Sequence, residues 1–141
     1  MEHFYTVGRE NMSHIRLADQ VMNLLLNGED EVLRILREQY KNAGIVLEED
    51  NESGFYINYY VDRIINPISL VNSTFQIGDV DGMINGIDGA VGFILYIKDG
   101  YLEMLEGYTN AVDKWPETDA EINLDYDSQP RNYELLQKKW R

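Results

Sequence analysis

Ala90-Val91-Gly92-Phe93-Ile94-Leu95-Tyr96-Ile97-Lys98 and Tyr101-Leu102-Glu103-Met104-Leu105-Glu106-Gly107-Tyr108 are two runs rich in β-branched and aromatic residues, with only Asp99-Gly100 between them. An Asp-Gly pair in that position specifies a two-residue type I′ turn, because both central residues must take positive φ and glycine does so without steric cost. The stretch therefore predicts an antiparallel hairpin. Once that hairpin is in place, its neighbours read as further strands of the same sheet.

Upstream, Ile45 to Glu49 alternates weakly and Gly54 to Val61 is aromatic and β-branched, with the polar turn Asp50-Asn51-Glu52-Ser53 between them. A loop around Asn66-Pro67 leads to a strand expected over Phe75 to Met83. Downstream of the irregular Trp115-Pro116, Ala120 to Tyr126 alternates as a last strand. The amino-terminal third has a different period. Apolar residues at Ile15, Ala18, Val21, Met22, Leu25 and Leu26 recur at three and four, which predicts a helix from a Ser13 cap to an Asn27-Gly28 stop. A second helix is expected over Asp30 to Lys41, burying Val32, Leu33, Leu36 and Tyr40. Pro130 can open a short carboxy-terminal helix carrying Tyr133, Leu136 and Trp140. Helices first and strands after predict one α+β domain over residues 1–141, with a helical hairpin packed on a mostly antiparallel sheet of five to six strands.

The 141 residues are 44% hydrophobic and 26% charged, enough to build a core and too apolar for a disordered chain. No uncharged apolar run reaches the roughly 18–20 residues of a membrane span. No charged, then apolar, then small-residue leader opens the sequence, so a cytoplasmic location is expected. The absence of cysteine removes disulfides, thiolate metal sites and cysteine nucleophiles.

Charge is unevenly spread. The net charge is −13, and residues 42–130 carry only Arg63, Lys98 and Lys114 against seventeen acids, a local net of −14. Such a surface repels phosphate backbones and anionic lipid, so neither nucleic acid nor membrane is expected as a partner. A basic protein is.

Sequence motifs add exclusions. There is no G-x-S-x-G elbow, Walker lysine or H-E-x-x-H pair. His3 and His14 are read as surface or helix-end residues. Asp79-Val80-Asp81-Gly82 opens like a calcium loop, but Met83, Ile84 and Ala90 then occupy the fifth, sixth and twelfth positions, so the match fails. Gly82, Gly86, Gly89 and Gly92 read as a tight connection before a strand rather than a phosphate cradle. Nothing calls for a cofactor or metal. Glu103 and Glu106 are three apart on a strand and so are expected on opposite faces. Glu106 is expected to share an apolar face with Leu102, Met104 and Tyr108, held by tyrosine hydroxyls, backbone donors or Arg63.

The hairpin run from Gly92 to Thr109, followed by Trp115-Pro116, resembles a family of small uncharacterised bacterial proteins with the pattern G-F-x-L…D-G-x-L-x-x-L-E-G-[FY]-T…W-P. The resemblance extends upstream through Phe75-Gln76-Ile77-Gly78-Asp79-Val80 and Gly54-Phe55-Tyr56. The chain departs from the pattern before Gly54, where Glu49-Asp50-Asn51-Glu52-Ser53 stands in place of an R-E-[FL]-T-G element. The resemblance implies a single domain of bacterial source and carries no activity.

Three functional expectations follow. The first is a non-enzymatic acidic protein-binding domain, in its most concrete form a toxin-neutralising, immunity-like protein engaging a basic partner. Asp79, Asp81, Asp113, Glu117 and Asp119 would be the contacts and Trp115 the aromatic anchor. The alternative is a small-molecule-binding or hydrolytic site on the tyrosine-rich sheet, built from Tyr56, Asn58, Tyr60 and Glu106. A self-associating structural role is a third.

Overall fold

A computed structural model describes residues 2–65, 67 and 72–141, with side chains from residue 14 onward. The expected loop around Asn66-Pro67 falls largely outside these residues, as does the side chain of His3. Helix α1 runs over Glu2–Leu25 and α2 over Glu31–Lys41. The strands are β1 (Gly44–Asn51), β2 (Gly54–Tyr60), β3 (Phe75–Ile77), β4 (Val80–Ile84), β5 (Ile87–Lys98), β6 (Tyr101–Thr109) and β7 (Ile122–Tyr126), and α3 covers Tyr133–Gln137. The α+β arrangement is as expected, with a sheet of seven strands among the described residues rather than five to six.

The sheet order is β1-β2-β6-β5-β4-β7, with β3 pairing β5 beside this path, and the pairs are antiparallel. At the β5–β6 turn Asp99 has φ 51° and Gly100 φ 85°, as a type I′ hairpin requires. Asn85 and Gly86 repeat this geometry between β4 and β5, at φ 48° and 83°. The glycine-rich stretch is thus a hairpin. β3 and β4 together were expected as one strand, and the ladder explains the break. Ile77 pairs Leu95, but Asp81 pairs Gly92, so register slips by one residue across Gly78-Asp79. The slip takes Asp79 out of the ladder and lets it turn towards Arg131.

α1 begins well before Ser13, which lies inside the helix rather than capping it. The apolar stripe that suggested Ser13 marks a buried part of the helix, not where its backbone starts. Val21, Met22 and Leu25 are fully buried, and Leu17, Ala18 and Leu26 nearly so. Each large side chain contributes roughly 1.5–3 kcal/mol through its removal from water. Asp30 caps α2 by accepting from Val32 N at 2.8 Å. The α2 helix grips the central hairpin through Gln39, which is fully buried. Its Nε2 donates to Gly100 O at 2.9 Å, and its Oε1 accepts from Leu102 N at 3.0 Å. Both backbone groups at the turn are thereby satisfied inside the core.

Both helices pack on one face of the sheet. Phe55, Ile57 and Tyr59 of β2, Phe93, Leu95 and Ile97 of β5, and Leu105 of β6 complete that core. The carbonyls at the end of α1 have deliberate partners. Arg37 donates to Leu26 O and Gly28 O, Arg131 to Leu25 O and Asn27 O, and the Tyr126 hydroxyl to Leu24 O.

Candidate functional site

The chain from Asn110 to Thr118 runs from the sheet end to the β1–β2 turn. Asn110 N bonds Ala90 O at 3.0 Å, and Trp115 N bonds Glu52 O at 2.8 Å. These tethers place Trp115 over Phe55 and Phe93, at ring separations of 5.3 and 6.1 Å, both edge-on. Its Nε1 donates to Asp119 Oδ1 at 2.8 Å. Trp115 and Asp119 are therefore engaged with their own chain, and the expected aromatic anchor closes the core. Asp113 and Glu117 of the same loop are exposed.

Beneath this loop lies His14. It is buried, stacked on Phe55 at 4.8 Å, with Nδ1 3.0 Å from Asp119 Oδ2 and Nε2 3.7 Å from Asp50 Oδ2. The surface or helix-end position expected for His14 is corrected. It falls in phase with Leu17, Ala18, Val21 and Leu25, so the helical period itself places it on the buried stripe. Burial disfavours the imidazolium. The Asp119 hydrogen bond and the charges of Asp119, Asp50 and Glu48 outweigh that effect and hold the ring above its usual value. Glu48 stands opposite Ile57 and so points inward from the edge strand. Its Oε2 is buried with no hydrogen-bond partner among the described residues. Burial pushes the Glu48 carboxyl up to about 7; His14 lowers it and Asp50 raises it further.

Asp79 also turns inward. Arg131, its side chain 2% exposed, holds it bidentately, Nε to Oδ2 at 2.7 Å and Nη2 to Oδ1 at 3.0 Å. The guanidinium also lies over the Tyr126 and Tyr133 rings. Asp79 is thus a structural carboxylate. Asp81 faces out from β4 beside Gly92, and burial followed by the charges of Asp127, Asp88 and Asp79 raises its pKa.

Tyr56, Asn58, Tyr60 and Glu106 all fall on the sheet face away from α1 and α2. Tyr56 pairs Glu106, and Asn58 pairs Met104, which pairs Tyr96 on the other side. The Tyr96 hydroxyl donates to Glu106 Oε1 at 2.8 Å, and burial followed by that bond lifts the phenol to about 12. Tyr56 is raised in turn, first by the Glu106 charge. The expected tyrosine grip on Glu106 is present, while Arg63 instead lies 3.9 Å over the Tyr101 ring. The expected apolar face is corrected. Register slips at Glu103, so Ile97 pairs Leu102 on the core side while Tyr96 pairs Met104 on the open side. That bulge separates Leu102 from Met104, Glu106 and Tyr108.

The sequence reading placed Tyr108 on this face with Glu106 and overlooked Tyr96 as a member of it. Tyr108 lies across Gly92, where an added Cβ would come within 2.5 Å of its ring. Alternation outward from the Asp99-Gly100 turn was the available signal, scrambled by the bulge. Among the described residues, no group of three or more His, Asp or Glu is placed to hold a metal ion, and no helix is long and apolar enough to cross a membrane. No family model, curated protein or solved structure matches the chain.

Proposed function

We propose that this is an acidic protein-binding domain whose docking surface is the open face of the sheet, and that its occupant is a basic protein. One observation carries the reading. The face turned away from α1 and α2 gathers Tyr56, Tyr60, Tyr96 and Tyr108 with Met104, and Glu49, Glu106, Asp81 and Asp125 lie among them. Tyrosine and methionine are enriched in protein interfaces, and tyrosine buries area there at little entropic cost. Interspersed acids favour a basic surface, speed its encounter and penalise an acidic one. The residues expected for a ligand site thus join the protein-docking surface, and Asp79, Trp115 and Asp119 leave it for structural roles. A toxin-neutralising, immunity-like role in a bacterial cytoplasm is the concrete form of this reading. A nuclease-like toxin has a basic substrate surface that such a face would cover.

The test is affinity capture from source-cell lysate with wild type and with a Glu49→Lys/Tyr60→Ala/Asp81→Lys variant of unchanged circular dichroism. The reading expects one basic protein, retained by wild type, released as salt rises and lost by the variant. Equal retention by both proteins contradicts it.

A further inference from the structure

The rim of the same face carries a feature that the protein-docking reading does not use. The carboxy-terminal segment leaves two clefts of about 490 and 510 Å³ against β3, β5 and β6, both lined by Gln76 and Lys139. The second adds Tyr96, Lys98, Asn72 and Glu103. A volume of this size lies within the range of small-ligand sites.

The geometry points to this second cleft as a binding site for a small organic anion, with a flat apolar body on Tyr96 and its anionic group between Lys98 and Lys139. Lys98 is one of only three bases in residues 42–130, and Lys139 reaches the same cleft from the far end of the chain. Neither has a carboxylate within 4.0 Å among the described residues. Both stand on braced backbone. Lys98 precedes the turn held by Gln39 and by the bond from Asp99 N to Thr74 Oγ1. Asn72 Nδ2 donates to Lys139 O at 2.7 Å, and the next residue, Trp140, is buried against Phe75 at 5.2 Å. The braced backbone fixes where each lysine side chain starts, and the exposed ammonium groups adjust to the ligand on their flexible stems.

Charge restricts the ligand's size. The chain as a whole repels anions, so attraction to two ammonium groups prevails only within about one Debye length, roughly 8 Å at physiological ionic strength. A compact anion fits inside that radius, whereas a nucleic acid or an anionic membrane also meets Asp127 of the adjoining cleft. Glu103 is the one acid in the proposed site and sets its preference for a single anionic group over several. The proposal shares Tyr96 with the protein-docking reading, but its anion contacts, Lys98 and Lys139, lie outside that reading, and it stands if no protein partner is found.

The probe is 1-anilinonaphthalene-8-sulfonate, titrated into isotope-labelled full-length protein and followed by amide chemical shifts. The expected result is saturable shifts at Gln76, Tyr96, Lys98 and Lys139. Binding should weaken at least tenfold in Lys98→Glu/Lys139→Glu and stay unchanged in Lys114→Glu, whose lysine sits in the exposed loop. Glu103→Gln should tighten it. The neutral analogue N-phenyl-1-naphthylamine should bind at least tenfold more weakly than the sulfonate. Shifts confined to other residues, equal binding by the double variant with a native amide spectrum, or equal binding of the neutral analogue would each overturn the assignment.

Discussion

His14 Nδ1 lies 3.0 Å from Asp119 Oδ2, across 105 residues of sequence, and the other oxygen of that carboxylate accepts from Trp115 Nε1. One carboxylate thus joins α1 to the loop that closes the core. The contact orders both elements and surrounds the imidazole with acids.

The pH dependence of stability follows from this arrangement. A folded-state pKa above the unfolded value means that the native state holds its proton longer, so stability falls as pH rises between the two values. For Glu48 that interval runs from 4.5 to about 7; for His14 it begins at 6.5 and extends upward. Asp81 and Asp127 are raised as well and act in the same sense. Urea midpoints should therefore be higher near pH 5.5 than at pH 8. Glu48→Gln should stabilise the protein at pH 8 by about 1 kcal/mol, after discounting for its partial exposure, and leave pH 4.5 nearly unchanged.

Arg131 and Asp79 give a sharper prediction. Removing one member leaves the other's charge uncompensated, at a cost of about 3–5 kcal/mol when both are buried. Arg131→Ala also removes the side-chain donor to Leu25 O and leaves Asn27 O only the longer bond from the Tyr133 hydroxyl. Urea unfolding should show Arg131→Ala losing at least as much stability as Asp79→Ala, and the double variant losing much less than their sum.

Gly107 faces the Phe55 ring, and an added Cβ would stand 2.5 Å from it. Gly107→Ala should cost about 1–3 kcal/mol through overpacking. Gly44→Ala, where a Cβ meets nothing within 4 Å, should be close to neutral. The same unfolding assay compares the two.

Much of the fold was legible because its signals are local. Asp99-Gly100 with alternating flanks gave the central hairpin, and the three-four spacing of Val21, Met22 and Leu25 gave α1. Asn85-Gly86 carried the same turn chemistry and was overlooked beside the surrounding glycines. The bulge at Glu103 and the slip at Gly78-Asp79 were not legible, since no residue type requires a bulge there and each depends on the partner strand's register. The candidate surface suffered most from this. A bulge reverses which residues face the helices, so Leu102 was grouped with Glu106. Asp79 was assigned to the surface because its partner Arg131 lies 52 positions away. His14 was legible from its phase with Leu17 and Val21.

The central claim is that the tyrosine-rich open face, rather than the 110–118 loop, receives the basic partner. Its most direct measurement is the affinity of the captured partner for wild type, for Glu49→Lys/Tyr60→Ala/Asp81→Lys and for Asp113→Lys/Glu117→Lys, across a salt series. The account predicts that the face variant loses at least tenfold in affinity and flattens the salt dependence, while the loop variant binds as wild type does. Loss of binding in the loop variant with an unaffected face variant would contradict it.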